Sequence, residues 1–312
     1  MILSVSRRTD IPNYYSQWFF NRLKEGYVLV RNPMNIHHVS KIPITADTVD
    51  CIVFWTKNPA PMLERLHELD NYHYYFQFTV NSYGSDIEPN VPKKSTSVIS
   101  TFQELSDKIG PDRIIWRYDP ILINDYYTID YHIKYFAELA KRLQGYTKRC
   151  TISFIDIYRK NENNAKKLAI KTLSLEDKYI LARSLVETAT CFGMKIDTCS
   201  EDIDLSTLNI AHARCIDKSL VESMLGYTLI TEKDKGQRRN CGCSASVDIG
   251  MYNTCPNNCK YCYANYSVNT VKNNIKEHDD HSPLLFGKLT SEDIISDRVL
   301  KPLKSKQLKL TE

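Results

Sequence analysis

Long apolar runs are missing from this 312-residue chain; those present, such as "CIVFW" at 51–55, are far too short to span a bilayer. Met1 leads straight into "ILSVSRRTD", without the basic start, apolar stretch and small-residue cleavage site of a secretory leader. The compartment expected from this is the cytoplasm. Glycine is scarce, with only 10 residues, and no Gly-rich phosphate loop occurs. Charge of one sign is not in excess either. A net +4 without a basic, aromatic-rich strip gives nucleic acid or an anionic membrane little to hold. What the chain does have is enough apolar residues, 42%, for one large core with an appendage, and ten cysteines.

Apolar runs that read as strands alternate with helix-like segments. The strand candidates are 2–6, 51–55, 74–80, 113–118, 151–157 and 194–199, apolar almost throughout, as expected when both faces are covered. Between them the spacing becomes helical: Met62, Leu66 and Leu69; Val98, Phe102, Leu105 and Ile109; Ile129, Ile133, Phe136, Ala140 and Leu143 behind Thr128 as N-cap. A fourth stripe, Tyr179, Ala182, Val186 and Ala189, follows a Ser174-x-x-Asp177 capping pattern. Six such units predict an α/β fold with a parallel sheet, and specifically a partial (β/α)6, TIM-like barrel. Each strand ends in polar groups: Arg7, Arg8, Thr9 and Asp10; Thr56, Lys57 and Asn58; Gln77 and Thr79; Arg117 and Asp119; Ser153 and Asp156; Cys199 and Glu201. The C-terminal rim of a parallel sheet is where such folds do chemistry. The expected organisation is a barrel over 1–230, a cysteine-rich segment over 231–266 and a polar tail over 267–312 that packs on the barrel.

Five of the ten cysteines fall within 22 residues, as "CGC" at 241–243 and "CPNNCKYC" at 255–262. In a reducing compartment a disulfide framework is not expected. Cys51, Cys150 and Cys191 read as small buried hydrophobes. For the others, zinc held by Cys241, Cys243, Cys259 and Cys262 competes with iron–sulfur ligation. The C-x3-C-x2-C frame of Cys255, Cys259 and Cys262, with the aromatic Tyr261 before the last cysteine, favours iron. Cys199, Cys215, Cys241 and Cys243 are then four thiolates left over, enough for a second, auxiliary [4Fe–4S] cluster or a structural zinc ion.

That frame resembles the signature of the radical S-adenosylmethionine (SAM) superfamily. The resemblance implies a [4Fe–4S] cluster on three cysteines with one iron open to SAM, a 5′-deoxyadenosyl radical as oxidant, and an electron donor such as a flavodoxin or ferredoxin. The motif here lies after the sixth unit instead of after the first strand, and the Gly-Gly-Glu stretch of many members is absent. Together with "SRRTD" at 6–10, "FWTKNP" at 54–59, "RYDPI" at 117–121 and "SFID" at 153–156, the arrangement resembles an uncharacterised bacterial family, domain of unknown function 1848. Some members are labelled as resembling DNA-repair photolyases. The SAM contacts implied are the rim residues Asp10, Lys57, Arg117, Asp119, Asp156 and Glu201. Two other readings stay open: a zinc-stapled binding protein without radical chemistry, and a photoproduct-lyase-like DNA-repair enzyme. "HDDHS" at 278–282 reads as a solvated loop and "KDKGQRR" at 233–239 as an exposed linker.

Overall fold

The computed structural model describes residues 1–157, 162–238 and 240–305. Chain order begins with β1 (Ile2–Val5), α1 (Ile11–Tyr14), α2 (Ser16–Glu25), a hairpin of β2 (Tyr27–Asn32) and β3 (Asn35–Pro43), and β4 (Cys51–Thr56). A 3₁₀ helix, Ala60–Leu69, leads to β5 (Tyr74–Thr79), α3 (Ile99–Ile109), β6 (Ile114–Ile121), α4 (Ile129–Leu143) and β7 (Arg149–Phe154). Then come α5 (Glu162–Lys167), α6 (Leu175–Cys191), β8 (Lys195–Thr198), β9 (Ala211–His212), α7 (Lys218–Leu225), β10 (Val247–Asp248), α8 (Val268–Lys276) and β11 (Ile294–Asp297). The caps explain two helix starts. The Thr128 side chain accepts from Tyr131 N, and Ser174 with Asp177 forms a full capping box.

Eight strands form one all-parallel sheet in the order β10-β1-β4-β5-β6-β7-β8-β9. The six expected strands are its centre. Two short strands extend the edges, and no ladder joins β9 to β10 among the described residues. Strands β4 to β8 lie side by side in chain order, so right-handed crossovers place their helices on one face. Leu3, Phe54, Phe76, Trp116, Ile152 and Ile196 face that layer, against Phe19 of α2, Phe102 of α3, Phe136 of α4 and Leu185 of α6. Phe54 stacks on Phe76 at 4.6 Å and Trp116 on Phe136 at 4.7 Å.

The opposite face changes character along the strands. Its N-terminal end is apolar, with Ile2, Cys51, Val53, Tyr75 and Ile115 beneath Ile216, Val221 and Leu229. The C-terminal end carries Gln77, Arg117, Thr151, Ser153 and Asp197, all buried. Alternate residues of a strand point to opposite faces, so one polar residue in two suffices to build this polar floor.

Four local expectations need correction. The stretch between 27 and 43, for which the apolar pattern predicts no strand, forms the hairpin β2–β3 and pairs with β11 in a separate three-stranded sheet. In α6 the core stripe is Leu181, Ala182, Leu185 and Ala189, with Tyr179 exposed, because the helix turns its more apolar side inward. Cys191 is exposed at the end of α6, not buried, whereas Cys51 and Cys150 are buried. The 278–282 stretch is docked: Trp18 Nε1, Asn21 Nδ2 and Arg22 Nη2 donate to the carbonyls of Ser282, Asp280 and His281, each at 2.9 Å. No helix of the described residues is long and apolar enough to cross a membrane.

His132 of α4 is fully buried, with Nδ1 2.7 Å from the Tyr118 hydroxyl and Nε2 2.9 Å from Leu122 O. Since a carbonyl only accepts, Nε2 carries the proton and Nδ1 accepts, which is the neutral ring. Burial outweighs the Leu122 bond and lowers its pKa to about 4. The unfolded chain therefore binds the extra proton between about pH 6.5 and 4, and stability falls as pH drops through that window, by roughly 3 kcal/mol for this group. Urea unfolding at stepped pH checks this: His132→Gln should lessen the loss between pH 6.5 and 4.

Candidate functional site

The C-terminal cysteine segment reaches the sheet through β10, which adds a parallel strand beside β1 with Leu3 opposite Val247 and Ser4 opposite Asp248. Asp248 anchors it. Its carboxylate accepts from Ser4 Oγ (2.9 Å), Ser6 Oγ (2.6 Å) and the amides of Arg7 (2.9 Å) and Gly250 (3.0 Å). A Cβ on Gly250 would lie 2.0 Å from Ser6 Oγ, so only glycine permits the approach.

Beyond β10 the chain loops over the C-terminal ends of β1 and β4. Asn253 and Asn258 take left-handed φ of 59° and 54°, a conformation that asparagine tolerates better than most residues. The loop is pinned on several sides. Tyr15 OH donates to Thr254 O, Tyr14 OH to Asn257 Oδ1 (2.9 Å), Asn90 Nδ2 to Pro256 O (2.7 Å) and Asn164 Nδ2 to Lys260 O (2.9 Å). Cys255, Cys259 and Cys262 are half-buried on it, and the charges of their thiolates would act on one another. Burial raises all three pKa values, with Cys255 pushed up to about 12 by burial together with Asp10 and Cys262. Ala264 N donates to Cys262 Sγ at 3.3 Å, and the Lys57 ammonium works against the rise at Cys259.

Two expected rim residues stand at this loop. Asp10 accepts from Lys57 N (2.8 Å), Asn257 Nδ2 (3.0 Å) and Asn13 N (3.2 Å); burial raises its pKa to about 6 against these bonds. Lys57 Nζ lies 2.7 Å from Glu88 Oε1 and 5.5 Å from the Tyr261 ring centre.

Glu88 was not foreseen. It is buried after β5, binds Lys57 and Lys94 (each 2.7 Å), and accepts from Tyr261 OH and from Asn81 Nδ2 at 3.3 Å. Burial would raise its pKa, but the two ammoniums outweigh it and hold it down at about 2. A lone glutamate in the polar stretch "SDIEPN" carries no sequence signal for this role; only the fold brings it beneath Tyr261.

Cys199, Cys215, Cys241 and Cys243 gather elsewhere, on the face of the sheet opposite α2, α3, α4 and α6. Cys199 Sγ and Cys215 Sγ are 3.4 Å apart, while Cys243, which accepts from Ile216 N at 3.5 Å, and Cys241 lie close enough to act on that pair through their charges. Its contact with Cys243 brings the Cys241 pKa down to about 7 despite burial. Tyr75 OH (2.7 Å) and Gln77 Nε2 (2.9 Å) hold Cys215 O, fixing this segment across β5. Among the described residues no group of three or more His, Cys, Asp or Glu side chains stands placed to hold a metal ion as the side chains lie.

Arg117 and Asp119 link the two cysteine groups. Arg117 Nη1 lies 2.9 Å from Cys215 Sγ and the guanidinium pairs with Asp119, which also accepts from Ser153 Oγ. Asp119 in turn acts on the Lys57 charge. Trp55 lies within reach of both arginines, with Arg7 at 5.5 Å and Arg117 at 5.4 Å from its ring centre. The remaining two expected residues belong to the β7–β8 rim. Asp156 pairs with Arg238 of the 233–239 stretch, whose Arg239 lies outside the described residues. Glu201 accepts from Phe154 N at 2.8 Å, and burial raises its pKa to about 7.

These features define an α/β protein with a parallel, helix-flanked sheet whose C-terminal rim carries a loop of three cysteines. Within that class the chain belongs to the family described as Domain of unknown function (DUF1848), matched over residues 2–264, through the cysteine loop but short of α8 and β11. No curated protein matches the chain.

Gly250→Ala should unseat β10 at a cost of about 1–3 kcal/mol, seen as a lower urea midpoint and faster proteolysis within 247–266. Glu88→Ala leaves two ammoniums without their buried partner and should cost about 3–5 kcal/mol in the same unfolding measurement.

Proposed function

We propose that the chain is a radical SAM enzyme, built on a partial (β/α)6-like barrel, whose [4Fe–4S] cluster is held by Cys255, Cys259 and Cys262. The observation that carries this reading is the placement of three mutually interacting thiols on one pinned loop at the rim of the sheet. Cys199, Cys215, Cys241 and Cys243 form a separate group. The donor set suits a cubane with one iron lacking a protein thiolate. The sequential strand order with helices on one face, and Arg117 reaching Trp55 two strands away at 5.4 Å, support a sheet that curls about its inner face.

The chemistry supplied by such a cluster, when bound, is one-electron cleavage of the SAM sulfonium to a 5′-deoxyadenosyl radical that takes hydrogen from a substrate C–H bond. The chain's own residues bind, orient and shield. Lys57 and the Ala264 amide offset thiolate charge at Cys259 and Cys262. Asp10 offers a carboxylate to the SAM ammonium or ribose, and Lys57 and Arg117 offer cations to a carboxylate. Thr9 Oγ1, Asn58 Oδ1 and Asn265 Oδ1, each beside a residue of this site in sequence or bonded to its loop, are buried without a hydrogen-bond partner. Such atoms cost about 1–3 kcal/mol each when unsatisfied, which fits oxygens that await a polar ligand. The electron comes from a low-potential donor of the flavodoxin or ferredoxin class.

Anaerobically reconstituted protein should be brown, hold about four irons dependent on these three cysteines, and release 5′-deoxyadenosine from SAM on reduction. Cys259→Ala should abolish that release. Unchanged SAM cleavage by this variant, or wild-type protein that takes up no iron, would overturn the reading.

A further inference from the structure

One pair of sulfurs in the second cysteine group stands in contact, and that spacing bears on the ligand. At Cys255, Cys259 and Cys262 the thiols act on one another through charge. At the second group Cys199 Sγ and Cys215 Sγ touch at 3.4 Å, and Cys241 and Cys243 lie close enough to act on that pair through their charges. One zinc ion with Zn–S bonds of about 2.3 Å sets the edges of its sulfur tetrahedron at about 3.8 Å. A cubane instead puts each thiolate on a different iron, well beyond sulfur–sulfur contact. The 3.4 Å Cys199–Cys215 pair therefore matches two ligands of one small ion, not two corners of a cluster.

We propose that Cys199, Cys215, Cys241 and Cys243 form a mononuclear zinc site. Closing the group into a tetrahedron brings Cys241 and Cys243 in to the Cys199–Cys215 pair, and Cys241 already lies close enough to both for their charges to interact. The surroundings fit a tetrathiolate carrying net negative charge. Arg117 Nη1 lies 2.9 Å from Cys215 Sγ, Ile216 N donates to Cys243 Sγ at 3.5 Å, and the charge of Arg7 acts on Cys215 and Cys243. The backbones are matched too. A Cβ on Gly242 would come within 3.2 Å of Arg214 Cγ, so the segment bearing Cys215 runs tightly beside Cys241–Cys243. Zinc has no redox chemistry, so this ion is a staple. It ties the end of β8 and the segment after β9 to the stretch that enters β10 four residues beyond Cys243. The site thereby helps set where the 255–262 loop lands. The inference stands whether or not that loop carries a cluster.

Metal analysis of the full-length protein, purified anaerobically without chelator, tests it. About one zinc per chain is expected, retained in a Cys255→Ala/Cys259→Ala variant and lost in Cys241→Ser/Cys243→Ser. Because the second variant can fail to fold, wild-type protein is also loaded with cobalt(II), which should show thiolate-to-cobalt charge transfer and the d–d bands of a tetrahedral four-sulfur site. Wild-type protein without zinc and with about eight irons would overturn the proposal, as would zinc that survives loss of Cys241 and Cys243 or cobalt spectra without the tetrahedral four-sulfur bands. Loss of SAM cleavage in the Cys259→Ala variant bears only on the other cysteine group.

Discussion

The Asp248 carboxylate holds the two ends of the matched region together. Its four hydrogen bonds, three of them to residues 4–7, tie β10 to the strand that begins the chain. A parallel edge strand of two residues supplies little ladder energy of its own, so register depends on such side-chain anchors. Once β10 is fixed, the cysteine loop can lie only over the C-terminal ends of β1 and β4. Asp10 and Lys57 already stand there.

Electrostatics then organises the interior. The face of the sheet opposite its helix layer carries Arg7, Lys57 and Arg117 among Asp10, Glu88, Asp119 and the cysteines of the two groups. Every one of those cations has an acidic partner: Asp234, Glu88 and Asp119 respectively. Buried charges of this kind persist only when paired and hydrogen-bonded. The pairs form a continuous strip, from the cysteine loop through Lys57 and Asp119 to Arg117 and the four-sulfur group. A change in thiolate charge at one end would be felt along it. The proposed cluster and the proposed zinc ion thus share one set of counter-charges while doing different work.

Much of the architecture was legible in the chain itself. Strands covered on both faces announce themselves as continuous apolar runs, and the caps at Thr128 and Ser174 are local chemistry that tertiary context did not override. The hairpin β2–β3 was not legible, because its stretch is half exposed and its polar and apolar residues follow no clean alternation. Tyr179 was misassigned for a related reason. Helical spacing alone identifies a stripe, and only packing against the sheet decides which neighbouring stripe is buried.

The cysteine spacing and the polar strand ends were fixed by sequence alone, since both are statements about residue type and order along one chain. Three things were decided by tertiary structure: that Glu88 sits under Tyr261, that Cys199 and Cys215 touch with Cys241 and Cys243 nearby, and that the last segment returns to the first strand. Each joins residues far apart in the chain, and such contacts arise from sheet order and buried charge pairing, which no local pattern encodes.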